Sequence, residues 1–208
     1  MVTSFDRVAL LVLAYLAGSI PTGVILGHLR GVDVRRIGSG NIGATNVTRA
    51  LGSRFGAYTL VGDLLKGAIP TLVALWMMPS WPWISAVALL CVMGHCFSIF
   101  LDFNGGKGVA TSAGVMLVLA PFATIVAALV WLAVVLGTRV SSFGAFGALP
   151  TVLVLMLLPE FEFLGMTIPS TRMYLPLALG IAVVVIFRHK ANIKRMVEGA
   201  ENRFAAKP

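Results

Sequence analysis

Residues 108–138 read GVATSAGVMLVLAPFATIVAALVWLAVVLGT, a stretch of 31 residues with no charged side chain and a single proline, Pro121. As one α-helix this stretch would be about 46 Å long at ~1.5 Å per residue, whereas the apolar core of a bilayer is about 30 Å thick. If residues 108–138 form one span, the chain has six spans. If they fold back at Ala120 and Pro121, it has seven. The number decides on which face of a membrane each later segment lies.

The composition of the whole chain is that of a membrane protein. Of its 208 residues, 58% are hydrophobic and 12% are charged, and the mean hydropathy is +0.94, whereas soluble domains are about 45–50% apolar. A formal net charge of +8 raises nucleic acid as a partner, but the basic residues lie between hydrophobic runs and form no soluble basic face. We therefore expect a lipid bilayer as partner and no nucleic acid.

Apolar runs of about the length of a membrane span occur along the whole chain. The first run is interrupted by SIPTG at residues 19–23, which predicts a kink, and a polar loop is expected over residues 30–54. With the fold back at Pro121, the runs are 8–29, 55–78, 83–101, the two halves of 108–138, 143–158 and 173–188. The predicted fold class is all-α, a polytopic integral membrane protein with seven transmembrane helices.

The distribution of Lys and Arg favours seven spans. With six, the basic tail after residue 188 lies opposite the arginine-rich loop 30–54, contrary to the positive-inside rule. With seven, only Arg7 and Arg172 of the 16 Lys and Arg residues lie outside. The N-terminus is then outside and the C-terminus cytoplasmic. We expect a single domain, residues 1–208, whose tail forms a short amphipathic surface segment at about 189–206.

Two glycine-rich polar stretches, GSGNIGATNVTR at residues 38–49 and NGGKG at 104–108, resemble phosphate cradles. Glycine lets successive N–H groups turn toward one point, and each stretch adds a basic side chain, Arg49 or Lys107. The alternative is an ordinary loop between helices, which has the same composition. The second stretch is not a nucleotide P-loop, because Gly108 stands where that motif requires Ser or Thr.

The tail and the apolar runs hold further candidates. His189 and Asn192 at i, i+3 present one polar face, although a basic membrane anchor has the same pattern. Asp63 and Lys66 share a helix face and can pair within a span. For His95 the sequence leaves two roles open, packing in the protein interior and a part in the site. The spacing of His and Cys fits no metal site, so we expect no metal and no cofactor.

Six segments, taken in order, point to a family. They are GSIPTG at 18–23, residues 38–49, DLLKG at 63–67, Gly94 with His95, GGKGVAT at 105–111 and residues 188–195. Together they resemble the bacterial acyl-phosphate:glycerol-3-phosphate acyltransferases, from residue 18 to about 203. Ser98, Asp102 and Asn104 depart from the family pattern, which commonly has proline and basic residues there.

The resemblance implies a multi-pass enzyme of the bacterial inner membrane with its active site at the cytoplasmic face. It would move a fatty acyl group from acyl phosphate to the sn-1 hydroxyl of glycerol 3-phosphate, giving lysophosphatidic acid in the first acylation step of phospholipid synthesis. It would not use acyl-CoA, and we expect the His-x4-Asp pattern of other glycerol-phosphate acyltransferases to be absent.

Two phosphate-bearing substrates require two anion pockets around one carbonyl. We assign glycerol 3-phosphate to Ser39, Asn41, Asn46, Arg49, Ser142, His189 and Asn192. We assign acyl phosphate to Gly105, Gly106, Lys107, Gly108 and Thr111, with Asp63, Lys66, His95 and Arg195 as supporting residues. The general base is open among His189, Ser142 and the substrate phosphate itself.

The alternative class is an anion or phosphate-ester transporter. A transporter site lies near the midplane and is reached from both faces, whereas here only Asp63 and Lys66 intrude and the outer segments hold only two basic residues, Arg7 and Arg172. The sequence sets neither the acyl-chain preference nor the oligomeric state, with which a monomer is compatible.

Overall fold

The computed structural model describes residues 3–78 and 80–204. The last part of the predicted surface segment, residues 205 and 206, lies outside this range. Ten α-helices occur in the described residues: α1 Ser4–Ser19, α2 Thr22–His28, α3 Ala44–Leu51, α4 Ser53–Met77, α5 Trp81–Cys96, α6 Val109–Leu119, α7 Pro121–Thr138, α8 Ser141–Leu155, α9 Leu175–Arg188 and α10 Lys190–Val197. Short 3-10 helices cover Val34–Arg36, Ile99–Leu101 and Arg172–Tyr174.

Three helices of the described residues are long and apolar enough to cross a membrane: Ser53–Met77, Trp81–Leu101 with its 3-10 extension, and Pro121–Thr138. Two bent pairs add up to two more, α1 with α2 and Arg172–Arg188 with α10. α6 and α8 are shorter apolar helices.

The kink predicted in the first run is present, since α1 and α2 meet at 45°. Pro21 has no N–H, so carbonyl groups of the preceding turn lose their helical partners. Two side chains from other elements replace them. Ser98 Oγ donates to Ser19 O at 2.6 Å, and Lys66 Nζ donates to Ile20 O at 2.8 Å.

Residues 108–138 form two helices that break at Ala120, as predicted. Ala120 has φ −145° and ψ 64°, and Pro121 is the first residue of α7. α6 packs closely against α4, and glycines on both helices permit this contact. A Cβ on Gly114 would overlap the carbonyl oxygen of Leu64, and a Cβ on Gly67 would overlap that of Thr111. This close contact fixes the residues before α6 against the centre of the protein.

The expectation of an all-α fold is wrong in one place, where residues 161–168 form a small antiparallel hairpin. β1 Phe161–Phe163 pairs with β2 Met166–Ile168. Leu164 and Gly165 between them both have positive φ, 50° and 75°, as a type I′ turn requires. The hairpin is held from α7, where the Phe122 ring packs edge-on against Phe161 and Phe163.

The polar loop predicted over residues 30–54 contains α3, which sequence alone did not indicate. Thr and Asn have modest helix propensity, but Val47 on α3 is fully buried in a small apolar cluster with Val24, Val34 and Ile42. Burial of this face stabilises a helix that propensity does not favour. α3 therefore presents Arg49 from a rigid element.

The C-terminal surface segment is helical only to Val197, which shortens the prediction of about 189–206. Gly199 has φ 67°, and Ala200 N donates to Arg195 O, so the backbone reverses after α10. A left-handed residue after a helix C-terminus is the usual way to end it. The following residues return toward the interior.

Candidate active site

A cavity of about 630 Å³ opens between α3, the residues before α6, and helices α4, α6, α7, α8 and α9. One end is polar and the other is apolar. The polar side chains that line it include Ser39, Asn41, Asn46, Arg49, Asp63, His95, Lys107, Ser142, His189, Asn192 and Glu201. The structure thus brings together residues that lie up to 165 positions apart in the chain.

Of the residues assigned to glycerol 3-phosphate, all seven line the cavity, but Asn46 is committed to the loop. Its Oδ1 accepts from Ser39 N at 2.9 Å, and its Nδ2 donates to Val34 O at 2.9 Å. With its side chain 1% exposed, Asn46 holds the backbone of Ser39 in place. Arg49, in contrast, pairs with no carboxylate of the described residues within 4.0 Å.

The glycine-lysine stretch is built differently from the phosphate nest that we predicted. Gly105 N donates to Cys96 O and Gly106 N donates to His95 O, so neither N–H is free for a phosphate. Their carbonyls accept from Arg188, whose Nη2 and Nε lie 2.6 and 3.0 Å away. Neither glycine lines the cavity.

Lys107 and Gly108 reach the cavity, whereas Thr111 is fully buried away from it. Thr111, which we assigned to acyl phosphate, is therefore not part of the cavity wall. Burial lowers the pKa of Lys107 to about 8, Glu201 raises it, and Arg195, Arg49 and Arg188 lower it further. The ammonium group thus lies in a region with an excess of positive charge, which an anion would relieve.

Ser98, Asp102 and Asn104, the departures from the family pattern, do not disturb this charge. Ser98 is buried and bonds Ser19 O. Asp102 and Asn104 are exposed, and Asn104 Nδ2 donates to Asp102 O at 3.2 Å. Asp102 is not among the groups that shift the pKa of Lys107.

Glu201 is the site residue that sequence reasoning missed. Its Oε1 accepts from Ser142 Oγ at 3.0 Å and from Asn192 Nδ2, and its Oε2 accepts from Arg195 Nε at 2.9 Å. Its side chain is 8% exposed. Arg195 thus acts on the site through Glu201 and does not itself line the cavity. The available signal was two acids, Glu198 and Glu201, in a mostly basic tail, and the sequence does not distinguish between them.

His189 lies just beyond the end of α9 and is 2% exposed. Its Nδ1 is 2.8 Å from Val185 O, and since a carbonyl only accepts, Nδ1 bears the proton in the neutral ring. Burial lowers the pKa of His189 to about 4, the hydrogen bond to Val185 raises it, and Lys107 lowers it. The ring is neutral at neutral pH, with Nε2 as a hydrogen-bond acceptor.

Asp63, Lys66 and His95 form a buried cluster below the polar end. Asp63 Oδ1 and Lys66 Nζ are 2.8 Å apart, so the predicted pair exists. Lys66 does not line the cavity, whereas Asp63 and His95 do. The His95 ring lies against Gly106, where an added Cβ would overlap Nε2. The cluster connects the α1–α2 kink to the residues before Lys107.

The apolar end of the cavity runs between four helices. Its walls are small and aliphatic side chains from α6, α7, α8 and α9: Ala110, Ala113, Met116, Ala127, Ala128, Leu132, Ala145, Ala148, Leu149, Val152, Leu153, Ala178, Ile181 and Val185. Many alanines on facing helices leave a groove where larger residues would interlock.

The spacing His-x4-Asp, which we expected to be absent, does occur once, at His28 and Asp33. Asp33 Oδ1 accepts hydrogen bonds from Arg35 N and Arg35 Nε, at 3.1 and 3.0 Å, and so caps the start of a 3-10 helix. His28 is exposed, and neither residue lines the cavity. The pair is part of a surface turn.

These features define a multi-pass helical membrane protein whose cavity joins cationic and hydrogen-bonding side chains to an apolar groove, as a lipid substrate with a phosphate requires. No three His, Cys, Asp or Glu side chains of the described residues are grouped to hold a metal ion.

The chain belongs to the glycerol-3-phosphate acyltransferase family, whose profile matches residues 8–199. The enzyme of that name from Geobacter sulfurreducens is 43% identical over 201 residues, which are 97% of this chain and 99% of that protein. The one from Anaeromyxobacter sp. strain K is 46% identical over 202 residues, 94% and 96% of the two chains. The predicted family is confirmed.

The fold is similar to that of PlsY, described as an integral membrane glycerol 3-phosphate acyltransferase. Its crystal structure in the glycerol 3-phosphate form superposes with a TM-score of 0.85 at 38% identity, covering 96% of each chain. The lysophosphatidic acid form gives a TM-score of 0.83. This chain is therefore an integral membrane protein of the same fold.

Proposed function

We propose that this glycerol-3-phosphate acyltransferase uses acyl phosphate as donor and the sn-1 hydroxyl of glycerol 3-phosphate as acceptor, giving lysophosphatidic acid and phosphate. The observation that carries the proposal is the two-part cavity, with a cationic end at Arg49 and Lys107 and an apolar groove leading away from it. Family membership supports the acyltransferase activity.

The polar end supplies what glycerol 3-phosphate requires. The Arg49 guanidinium offers a fork of N–H donors to the phosphate. The hydroxyl groups of glycerol need acceptors, and two are available. Asn192 Oδ1 is buried without a hydrogen-bond partner among the described residues, and His189 Nε2 is unprotonated. We assign this substrate to Ser39, Asn41, Arg49, Ser142, His189 and Asn192.

The groove supplies what the acyl chain requires. Between His189 at its polar end and Ala178 the backbone of α9 rises by about 16 Å at ~1.5 Å per residue. Each buried methylene contributes about 0.8 kcal/mol. The phosphate of the donor would lie at Lys107 and the N-terminus of α6 at Gly108, where helix N–H groups favour an anion. Gly105, Gly106 and Thr111 support this loop from outside the cavity.

The chemistry needs few protein groups. The hydroxyl oxygen attacks the carbonyl carbon of acyl phosphate, the ester bond forms, and the bond from that carbon to the bridging oxygen breaks, so that phosphate leaves with the electron pair. Lys107, which we assign to the donor phosphate, stabilises the departing charge. The hydroxyl proton passes to a base. His189 Nε2 suits this role better than Ser142, whose hydroxyl already donates to Glu201.

We also propose the topology of seven spans in one domain, residues 1–208, with the N-terminus outside and the active site at the cytoplasmic face of the bacterial inner membrane. The three long helices, the apolar part of each bent pair, and the short helices α6 and α8 are the seven segments. The charge asymmetry of the loops supports the orientation. The residues that we assign to the two substrates belong to one chain, with which a monomer is compatible.

The experiment is acyl transfer by purified protein in detergent. We expect lysophosphatidic acid from palmitoyl phosphate and glycerol 3-phosphate, and none from palmitoyl-CoA. A chelator is expected to leave the rate unchanged. Lys107→Ala, which removes the cation of the donor pocket, is expected to lose most activity. Comparable rates with both donors would refute the donor assignment, and wild-type activity of Lys107→Ala would refute the site.

A further inference from the structure

Residues 201–204, here called the C-terminal strap, lie across the polar end of the cavity. After the reversal at Gly199 the strap returns to the turn between α7 and α8, where Phe204 N donates to Arg139 O at 2.8 Å. Glu201, Asn202 and Phe204 line the cavity. The strap is therefore one wall of the region that we assign to glycerol 3-phosphate.

Arg49 reaches the strap from α3 with its guanidinium group. Arg49 Cζ lies 5.2 Å from the centroid of the Phe204 ring, within the ~6 Å range of cation–π attraction. Arg49 Nη2 donates to Asn202 O at 3.4 Å. The guanidinium is thus held by a ring and a backbone carbonyl of the strap.

This arrangement suits an arginine that must bind a phosphate. A carboxylate partner would occupy the in-plane N–H groups and compete with the anion, whereas an aromatic ring attracts the cation through its face. The N–H groups other than the one bonded to Asn202 stay available. Because a long arginine side chain loses rotamer entropy when it is ordered, holding it before binding lowers the cost of ordering it in the complex.

We propose that Phe204 is a positioning residue for glycerol 3-phosphate: its ring fixes the guanidinium plane of Arg49 in the cavity and leaves N–H groups free for the phosphate. The inference rests on the proposed function and deepens it. Phe204 lies beyond residues 8–199, which the family profile matches, so only its contacts assign it this role.

The test compares three substitutions at one position. Phe204→Ala should raise the KM for glycerol 3-phosphate roughly 3- to 10-fold, with kcat and the KM for palmitoyl phosphate near wild type. Phe204→Leu keeps apolar bulk without a π face and should behave like Ala. Phe204→Trp keeps the face and should retain the wild-type KM. Adding Phe204→Ala to Arg49→Ala should cause no further rise.

A matched control is present on the same side of the protein. Phe187 is exposed, and its ring lies 5.4 Å from Lys190 Nζ, outside the cavity. Phe187→Ala removes an aromatic ring beneath a cation without touching the site. Its kinetic constants should equal those of the wild type. A rise in KM equal to that of Phe204→Ala would overturn the proposal, because loss of any such ring would then suffice.

Two other outcomes overturn it: a wild-type KM in Phe204→Ala, or a wild-type KM in Phe204→Leu, which would reduce the ring to filling space. If Phe204→Ala does not fold, the Leu and Trp variants decide.

Equilibrium dialysis of radiolabelled glycerol 3-phosphate without acyl donor gives a Kd that is independent of turnover. Failure to form lysophosphatidic acid refutes the proposed function, whereas an unchanged Kd in Phe204→Ala refutes the role of Phe204. A wild type that binds no glycerol 3-phosphate refutes both.

Discussion

Replacement of Glu201 by alanine should both destabilise the protein and impair catalysis. The carboxylate accepts hydrogen bonds from Ser142, Asn192 and Arg195, and its side chain is 8% exposed. Ser142 and Asn192 are 5% and 3% exposed. In Glu201→Ala these two donors lose their partner, and each unpaired buried polar group costs about 1–3 kcal/mol. Arg195, with 28% of its side chain exposed, can turn to water and adds little.

Entry of cavity water offsets part of this cost, so we expect a total loss of about 2–4 kcal/mol. At this chain length 1 kcal/mol corresponds to about 2–4 °C, which gives a fall in Tm of about 5–15 °C. The catalytic rate of the folded variant should also fall, because Ser142 and Asn192 lose the group that orients them and the surrounding cations lose their counter-charge.

The assay is thermal unfolding in detergent beside steady-state kinetics at a temperature where the variant is folded. Glu198→Ala is the matched control, since Glu198 makes only an exposed pair with Lys194 at 3.9 Å and should change Tm by less than ~1–2 °C. Glu201→Gln keeps the shape and loses the charge, and should lie between wild type and Ala. A Glu201→Ala protein with wild-type Tm and kinetics would show that the three hydrogen bonds do not organise the site.

Four further outcomes follow from the site. Arg49→Lys keeps a charge but loses the fork, so the KM for glycerol 3-phosphate should rise about 10-fold or more in steady-state assays; unchanged constants would make Arg49 a topology residue only. Because Lys107 has a pKa of about 8, its charged form is lost as pH rises, so kcat/KM should fall through about pH 8, and Lys107→Arg should abolish this fall; a flat wild-type profile from pH 7 to about 9 would contradict it. Gly106→Ala would overlap the His95 ring, so activity and Tm should both drop, and adding His95→Ala should restore part of the Tm; strict additivity in thermal unfolding would contradict the contact. In a protein with its cysteines replaced, a cysteine at Ser142 should be labelled from the cytoplasmic side only, and labelling from outside would reject seven spans.

The sequence by itself determined that the chain lies in a membrane and where its helices break. The thickness of the bilayer core and the free-energy penalty on unpaired backbone groups in lipid constrain each segment separately. For this reason the length of residues 108–138 indicated a possible fold back at Pro121, which the distribution of Lys and Arg then favoured, and the kink at Pro21 could be predicted. The order of the six motif segments similarly gave the family.

Only the tertiary structure decided which polar groups face the cavity. A glycine-rich stretch is capable of binding phosphate, but whether its N–H groups are free depends on what packs against it. His95 and Cys96 take those of Gly105 and Gly106. Asn46 was assigned to substrate on the same pattern and instead holds Ser39.

Glu201 and Phe204 are the converse case, in which residues outside any predicted motif become part of the site through tertiary contacts. Apart from the negative charge of Glu201 in a mostly basic tail, nothing local marks either as a site residue, because their partners lie on α3, α8 and α10 and meet them only after the chain reverses at Gly199. Hydrogen bonding and cation–π attraction act over a few ångströms. A sequence therefore specifies which groups can interact, and the packing of distant helices determines which of them do.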